Sequence, residues 1–219
     1  GTAVFNHVHA ADVTGGDVLV DGTPAHPIPT APVAGGAITN ASATDNVHDN
    51  KLTLDGASAV FSGNAYGGYN FGLGNAFKNE VIFKNGAGST NVYGGWANNG
   101  NATGNTVTLS GNDAGSYTYT TLYGGGSNKS GADVKTDNKL KVTTKDNSTA
   151  SINNFDQMEF ELGSGISSGD TMLRVRAQYA TQVFDWNRVR VTNAETWSGT
   201  TGLNPIRLYT TPGGALLTL

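Results

Sequence analysis

Apolar and polar residues alternate in four short segments of the chain. Leu52 with Leu54, Val81 with Phe83, Val107 with Leu109, and Leu140 with Val142 fall on one face, and Thr or Lys separates them except at Ile82. A two-residue period marks a strand with one buried face. Each segment follows an asparagine, Asn50, Asn79, Asn105 or Asn138, giving a repeated Asn-x-apolar-x-apolar motif. Upstream of each motif lies a Gly-Gly pair, at 35, 67, 94 and 124, preceded in three copies by Tyr66, Tyr93 and Tyr123. The pairs recur after 32, 27 and 30 residues, the signature of a repeat architecture with one supersecondary unit per copy.

No copy shows a 3.6-residue pattern with helix caps, so the unit is strand, turn, connection, strand, with the glycine pairs read as turns that end the opening strands. One unit cannot bury its apolar face alone, but units stacked in register can. The expected fold is therefore all-β, a parallel β-helix (β-solenoid) with coils of about 27–32 residues. Equivalent residues would lie about 4.8 Å apart from coil to coil. Asn50, Asn79, Asn105 and Asn138 would then form a hydrogen-bonded ladder, and Tyr66, Tyr93 and Tyr123 an aromatic stack facing either in or out. Both features read first as structural, with a tyrosine strip that binds a ligand as the functional reading.

The pattern divides the chain into three parts. Residues 1–32 form an irregular segment with a Pro-rich loop (Pro24, Pro27, Pro29, Pro32), although Val18-Leu19-Val20 suits a strand. Residues 33–150 hold the Gly-Gly/Asn coils. Residues 151–219 continue as further coils without the glycine signature, with strands near 158, 173, 188, 206 and 216. Taken alternately these give a period near 30, which places Glu159 beside Arg188 and Glu161 beside Arg190 as an outward ladder of opposite charges. The last strand has no polar cap, so the natural protein is expected to continue.

Composition narrows the function classes. Glycine accounts for 31 of 219 residues and hydrophobic residues for 37%, which suits a narrow core. The net charge of −4 lacks the basic clusters that a nucleic-acid partner requires. No cysteine is present, which excludes disulfides and thiolate chemistry and is compatible with a bacterial exported protein. No run approaches the ~20 apolar residues of a membrane-spanning helix, so direct membrane insertion is not expected.

Candidate chemistry is sparse. His7-x-His9 offers half a metal site with no third ligand nearby, so neither a metal nor a cofactor is expected. His26 and His48 lie in loop-like stretches and read as solvated. Gly165-Ile166-Ser167-Ser168-Gly169 matches a nucleophile-elbow pattern, but every histidine precedes it and no helix follows, so it reads as a loop. Asp156, Glu159 and Glu161 with Arg174, Arg176, Arg188 and Arg190 could form a shallow charged groove of the kind a carbohydrate-active β-helix would need. A structural ion-pair ladder is preferred there. Aromatic residues at turns, Trp96, Tyr69, Tyr93, Tyr123, Trp186 and Trp197, are the candidate ligand-binding residues. Packing between coils is the competing reading for them.

The run Val92–Gly111 (VYGGWANNGNATGNTVTLSG) resembles repeats in passenger regions of bacterial autotransporter (type V secreted) adhesins. Ile152–Leu162, followed by Asp170–Leu173, is similar to the strands that often follow such repeats. The likeness covers roughly residues 33–176. It implies a right-handed parallel β-helix displayed on the bacterial outer-membrane surface or secreted. It also implies an adhesive, non-enzymatic role toward a host-cell or bacterial surface glycan or protein. The translocator barrel of that family would lie outside this chain. A polysaccharide lyase or tailspike-like glycosidase, and a passive stalk, are the alternatives.

Overall fold

The computed structural model describes residues 11–29, 32–56, 60–85, 87–111, 121–176, 185–193 and 205–218. His7, His9, Trp197 and most of Ser116–Leu122 lie outside these residues. The described residues are nearly all β, and they wind into a β-solenoid.

The first rung is β1 (Val13–Thr14) and β2 (Asp17–Val20). The second is β3 (Val33–Ile38), β4 (Val47–His48) and β5 (Lys51–Asp55). The third is β6 (Val60–Asn70), β7 (Ala76–Phe77) and β8 (Glu80–Lys84). The fourth is β9 (Gly88–Ala97), β10 (Ala102–Thr103) and β11 (Thr106–Ser110). The fifth is β12 (Thr121–Ser127), β13 (Lys139–Val142) and β14 (Asn147–Thr149). Then come β15 (Ser151–Asn153), β16 (Gln157–Glu161) and β17 (Thr171–Val175). A 3₁₀ turn at Trp186–Arg188 leads to β18 (Val189–Thr192), β19 (Arg207–Thr211) and β20 (Gly214–Thr218).

Corresponding strands stack into four sheets. Sheet I has the order β15-β12-β9-β6-β3, and sheet II the order β18-β16-β13-β11-β8-β5-β2. In the early coils a narrow sheet III, β1-β4-β7-β10, joins sheet I to sheet II. From the fifth coil onward the third wall changes sides: sheet IV, β14-β17-β19-β20, carries the chain away from sheet II. β15 then reaches β16 through only Asn154-Phe155-Asp156, turning at Asn154 with φ 59°. The coil step on sheet II shortens accordingly, and Lys139 pairs with Gln157.

Parity places the core. Leu52, Val81, Val107, Leu140 and Met158 form one inward column of sheet II, and Leu54, Phe83, Leu109, Val142 and Phe160 a second. All ten are buried. Val33, Ala65, Val92, Leu122 and Ile152 face them from sheet I. Each of these side chains except Ala65 stabilises the fold by roughly 1.5–3 kcal/mol through water exclusion.

Two expectations change here. The stacking begins before residue 33, because Val13–Val20 already pair in parallel with the second coil. The strand near 216 does not stack on the one near 188; it folds back antiparallel on β19, with Tyr209 opposite Leu217.

The glycine pairs do not end strands. β6 and β9 run straight through them. Their function is to leave room for the asparagines. A Cβ on Gly36, Gly68 or Gly95 would lie 2.5 Å from Asn50, 2.4 Å from Asn79 or 2.6 Å from Asn105. This close approach explains why the two motifs travel together in every copy.

The asparagines form a buried, saturated ladder. Asn50 Nδ2 donates to Asn79 Oδ1 at 3.0 Å, Asn79 Nδ2 to Asn105 Oδ1 at 3.1 Å, and Asn105 Nδ2 to Asn138 Oδ1 at 3.3 Å. Each acceptor also takes the backbone N–H of the preceding asparagine. Each remaining amide proton reaches back to a carbonyl: Val13, Val47, Ala76 or Ala102. The Gly16 N–H closes one end, and the Asn154 carbonyl accepts from Asn138 at the other.

The residue before each ladder asparagine is left-handed: Asp49 (φ 53°), Lys78 (φ 55°), Gly104 (φ 65°) and Asp137 (φ 58°). A long side chain costs about 1 kcal/mol in this region. Lys78→Gly is therefore expected to stabilise the protein by roughly 0.5 kcal/mol, after the extra unfolded-state entropy of glycine is subtracted. The thermal midpoint should rise by about 1–2 °C.

Candidate binding surface

Sheet I carries aromatic columns on its outer face. In register, Ala34 is followed by Tyr66, Tyr93, Tyr123 and Asn153, and Ala37 by Tyr69, Trp96 and Gly126. The stack of Tyr66, Tyr93 and Tyr123 thus lies on the outer face of the sheet, where Tyr66 is buried beneath its neighbours and Tyr93 and Tyr123 are half-buried. Tyr66 and Tyr93 stack at 5.2 Å, Tyr93 and Tyr123 at 4.6 Å, and Tyr69 and Trp96 at 5.0 Å. Both faces of Tyr93 are covered, so it shows solvent mainly its edge. Gly126 allows Trp96 and Tyr93 to close over the fifth coil, since a Cβ there would lie 2.9 Å from each ring. Burial pushes the Tyr66 and Tyr69 phenols up, and burial followed by the neighbouring Tyr123 and Tyr66 pushes Tyr93 up to about 12.

Four of the six aromatic candidates, Tyr69, Tyr93, Trp96 and Tyr123, converge here, and all four are half-buried. They pack between coils and face solvent at the same time. Trp186 belongs to the 3₁₀ turn that leads into β18 of sheet II, not to a strand of sheet I.

Two further residues extend the surface. Phe71 and Leu73 are 38% and 51% exposed, and the Phe71 ring lies 6.5 Å from Tyr69. The segment Phe71-Gly72-Leu73-Gly74 alternates, with both glycines buried. A Cβ would lie 2.4 Å from the Ala43 carbonyl oxygen at Gly72 and 2.0 Å from that of Asp45 at Gly74. Backbone bonds from Phe71 to Ile38 and from Leu73 to Ala43 hold the turn against the preceding coil. Phe-Gly-Leu-Gly is itself an alternating pattern, and that signal in the sequence marks the two outward residues.

A second ladder runs beside the first. Asp12 Oδ1 accepts the Asn46 N–H at 2.7 Å, Asn46 Oδ1 that of Asn75 at 3.0 Å, Asn75 Oδ1 that of Asn101 at 2.8 Å, and Asn101 Oδ1 that of Asp133 at 3.0 Å. Its signal is an Asn four residues before Asn50, Asn79 and Asn105. The Asn46 N–H, as the largest influence, holds the Asp12 carboxyl below its usual range.

The remaining candidates sit elsewhere. His48 is not in a loop: it lies on β4, stacks on Phe77 at 4.8 Å and approaches Asp12 and Asp49 at 3.3 and 2.6 Å. His26 pairs with Asp21 at 3.3 Å. Among the described residues no group of three or more His, Asp or Glu is placed to hold a metal ion. Gly165–Gly169 is a turn between β16 and β17.

Glu159 and Glu161 lie on the outer face of sheet II, but their arginine register differs from expectation. Glu159 is opposite Arg190, and Glu161 opposite Thr192. Inward Met158 and Phe160 must sit on Val189 and Val191, which fixes the outward residues between them. Glu159 instead bonds Lys139 at 3.2 Å and Lys141 at 3.6 Å, Glu161 bonds Lys141 at 2.7 Å, and Arg188 reaches Asp156. Glu161, as the largest influence, holds the Lys141 ammonium above its usual range.

Fold and surface define the class as a β-solenoid with an aromatic outer face. No known family matches the chain, nor does any curated protein or solved structure.

Proposed function

We propose that this chain is a binding segment of a bacterial surface adhesin, a non-enzymatic passenger region that attaches to a glycan or protein of a host or bacterial cell. The observation that supports it is the aromatic ridge of sheet I, extended by Phe71 and Leu73 on a glycine-held turn. Only 14% of residues in the chain are charged, and apolar side chains displayed together on a rigid scaffold mark interaction surfaces. Truncating a central aromatic anchor typically costs a complex 2 kcal/mol or more, about 30-fold. The resemblance of Val92–Gly111 to autotransporter passenger repeats supports the same reading.

Labelled protein applied to cells and to a glycan array tests the proposal. Saturable binding that falls at least about 30-fold in Trp96→Ala and in Phe71→Ser, with unchanged circular dichroism, is the expected result. Binding that survives both substitutions would remove the ridge from the mechanism. Absence of binding to any cell or array would leave a stalk. Release of oligosaccharides from an acidic polymer, abolished by Glu161→Gln, would overturn the non-enzymatic reading.

A further inference from the structure

A recess of about 260 Å³ opens on the outer side of sheet II, lined by Asp137, Gln157, Asn187, Arg188 and Arg190. Three coils build it. Asp137 is the left-handed residue before Asn138. Gln157 opens β16 beside Lys139. The 3₁₀ turn supplies Asn187 and Arg188, with the Asn187 backbone and side chain both bonded to Asp185 Oδ1 at 3.0 Å. Arg190 is an outward residue of β18. The walls are thus planar hydrogen-bonding groups: two guanidiniums, two amides and one carboxylate.

The ion pairs around the recess leave one cation over. Arg188 is matched by Asp156. Glu159, the cross-strand neighbour of Arg190, is taken by Lys139 and Lys141. Arg190 therefore has no carboxylate within ion-pair distance among the described residues. Its guanidinium is a rigid fork of donors suited to a planar carboxylate. Gln157 Nε2 donates to Asp137 Oδ1 at 3.4 Å and Asn187 Nδ2 to Asp185, which leaves Asp137 Oδ2 to accept and each amide one proton and its oxygen for neighbouring sugar hydroxyls. Asp137 would repel a phosphate dianion, whereas a sugar acid brings one negative charge and several hydroxyls. The volume is near the lower end for small-molecule sites, about 300 Å³, and suits a single pyranose unit.

We propose that this recess binds a uronate-type saccharide unit, its carboxylate on Arg190 and its hydroxyls on Asp137, Gln157 and Asn187. The site lies on sheet II and works independently of the aromatic ridge of sheet I.

Titration calorimetry and amide chemical-shift mapping with trigalacturonate, and with its fully methyl-esterified form, test this on the whole chain. The acid form is expected to bind saturably, with shifts centred on Asp137, Gln157 and Asn187. The ester should bind at least about tenfold more weakly. Arg190→Gln should lose at least about tenfold, and Arg190→Lys should recover only part of that loss, because an ammonium keeps the charge but not the fork. Raising the salt from 0.05 to about 0.5 M should weaken the acid form alone. Trp96→Ala should leave this titration unchanged, so loss of cell binding and loss of uronate binding are separable. Equal affinity for acid and ester, wild-type affinity in Arg190→Gln, or no saturation with the acid form would each overturn the proposal.

Discussion

Asn105→Ala is expected to destabilise the protein by about 3–5 kcal/mol. Asn105 is fully buried in the middle of the ladder. Its Oδ1 accepts both the N–H and the Nδ2 of Asn79, and its Nδ2 donates to the Ala76 carbonyl. Truncation takes the acceptor from the Asn79 N–H and from one of the two Asn79 amide protons, the other keeping Val47, and a donor from the Ala76 carbonyl, at about 1–3 kcal/mol for each lost bond before local relaxation. For a chain of this length that is a fall of roughly 10 °C in the thermal midpoint. Gly95→Ala attacks the same contact from the other side, because its new Cβ would lie 2.6 Å from Asn105 Oδ1 and 2.7 Å from Cγ. Overpacking of this kind costs about 1–3 kcal/mol. In an Asn105→Ala background the obstructing atoms are gone, so the glycine substitution should cost less there by at least about 1 kcal/mol. Denaturant unfolding of the wild type, both single variants and the double variant measures this coupling. Additive losses would show that the glycine pairs serve some other end.

Alkaline pH should weaken the fold between pH 10 and 12. Burial pushes Tyr209 up to about 12, and burial with two neighbouring phenols pushes Tyr93 to about 12. In the unfolded chain a tyrosine loses its proton near pH 10. Below that value both states hold the proton and the stability is fully present. Between 10 and 12 the unfolded chain ionises while the folded chain does not, so stability falls as pH rises and levels off past the folded value. Two units correspond to about 3 kcal/mol for buried Tyr209. Half-exposed Tyr93 contributes roughly half as much, since water screens it. Tyr66 and Tyr69 shift in the same direction. Urea midpoints measured from pH 8 to 12 should trace this loss, and Tyr93→Phe should flatten part of it while changing neutral stability little. Superimposable curves for wild type and Tyr93→Phe above pH 10 would exclude the aromatic stack as a source.

How much of this was legible in the sequence depends on the range of the information. Side-chain parity is local, so the inward columns at Leu52/Leu54 through Leu140/Val142 could be read directly, and the Asn and Tyr ladders followed from the repeat. A side chain absent from a glycine says nothing about what occupies its space. The pairs at 35, 67, 94 and 124 therefore read as turns in the sequence, and only the fold sets Asn50, Asn79 and Asn105 against them. The aromatic ridge was half legible: its tyrosines and Trp96 stood out, but their outward direction and the addition of Phe71 and Leu73 depend on the coil behind.

By itself the sequence determined that this chain is a stack of β coils of about thirty residues, and which residues of each strand point inward, because a two-residue period and a repeat are properties of the chain alone. Only the tertiary structure decided which coil meets which. It set Glu159 against Arg190, moved the third wall from sheet III to sheet IV, and turned β20 antiparallel. Those choices depend on connections of unequal length between strands, and on which apolar residues come to rest on one another once the chain has closed each coil.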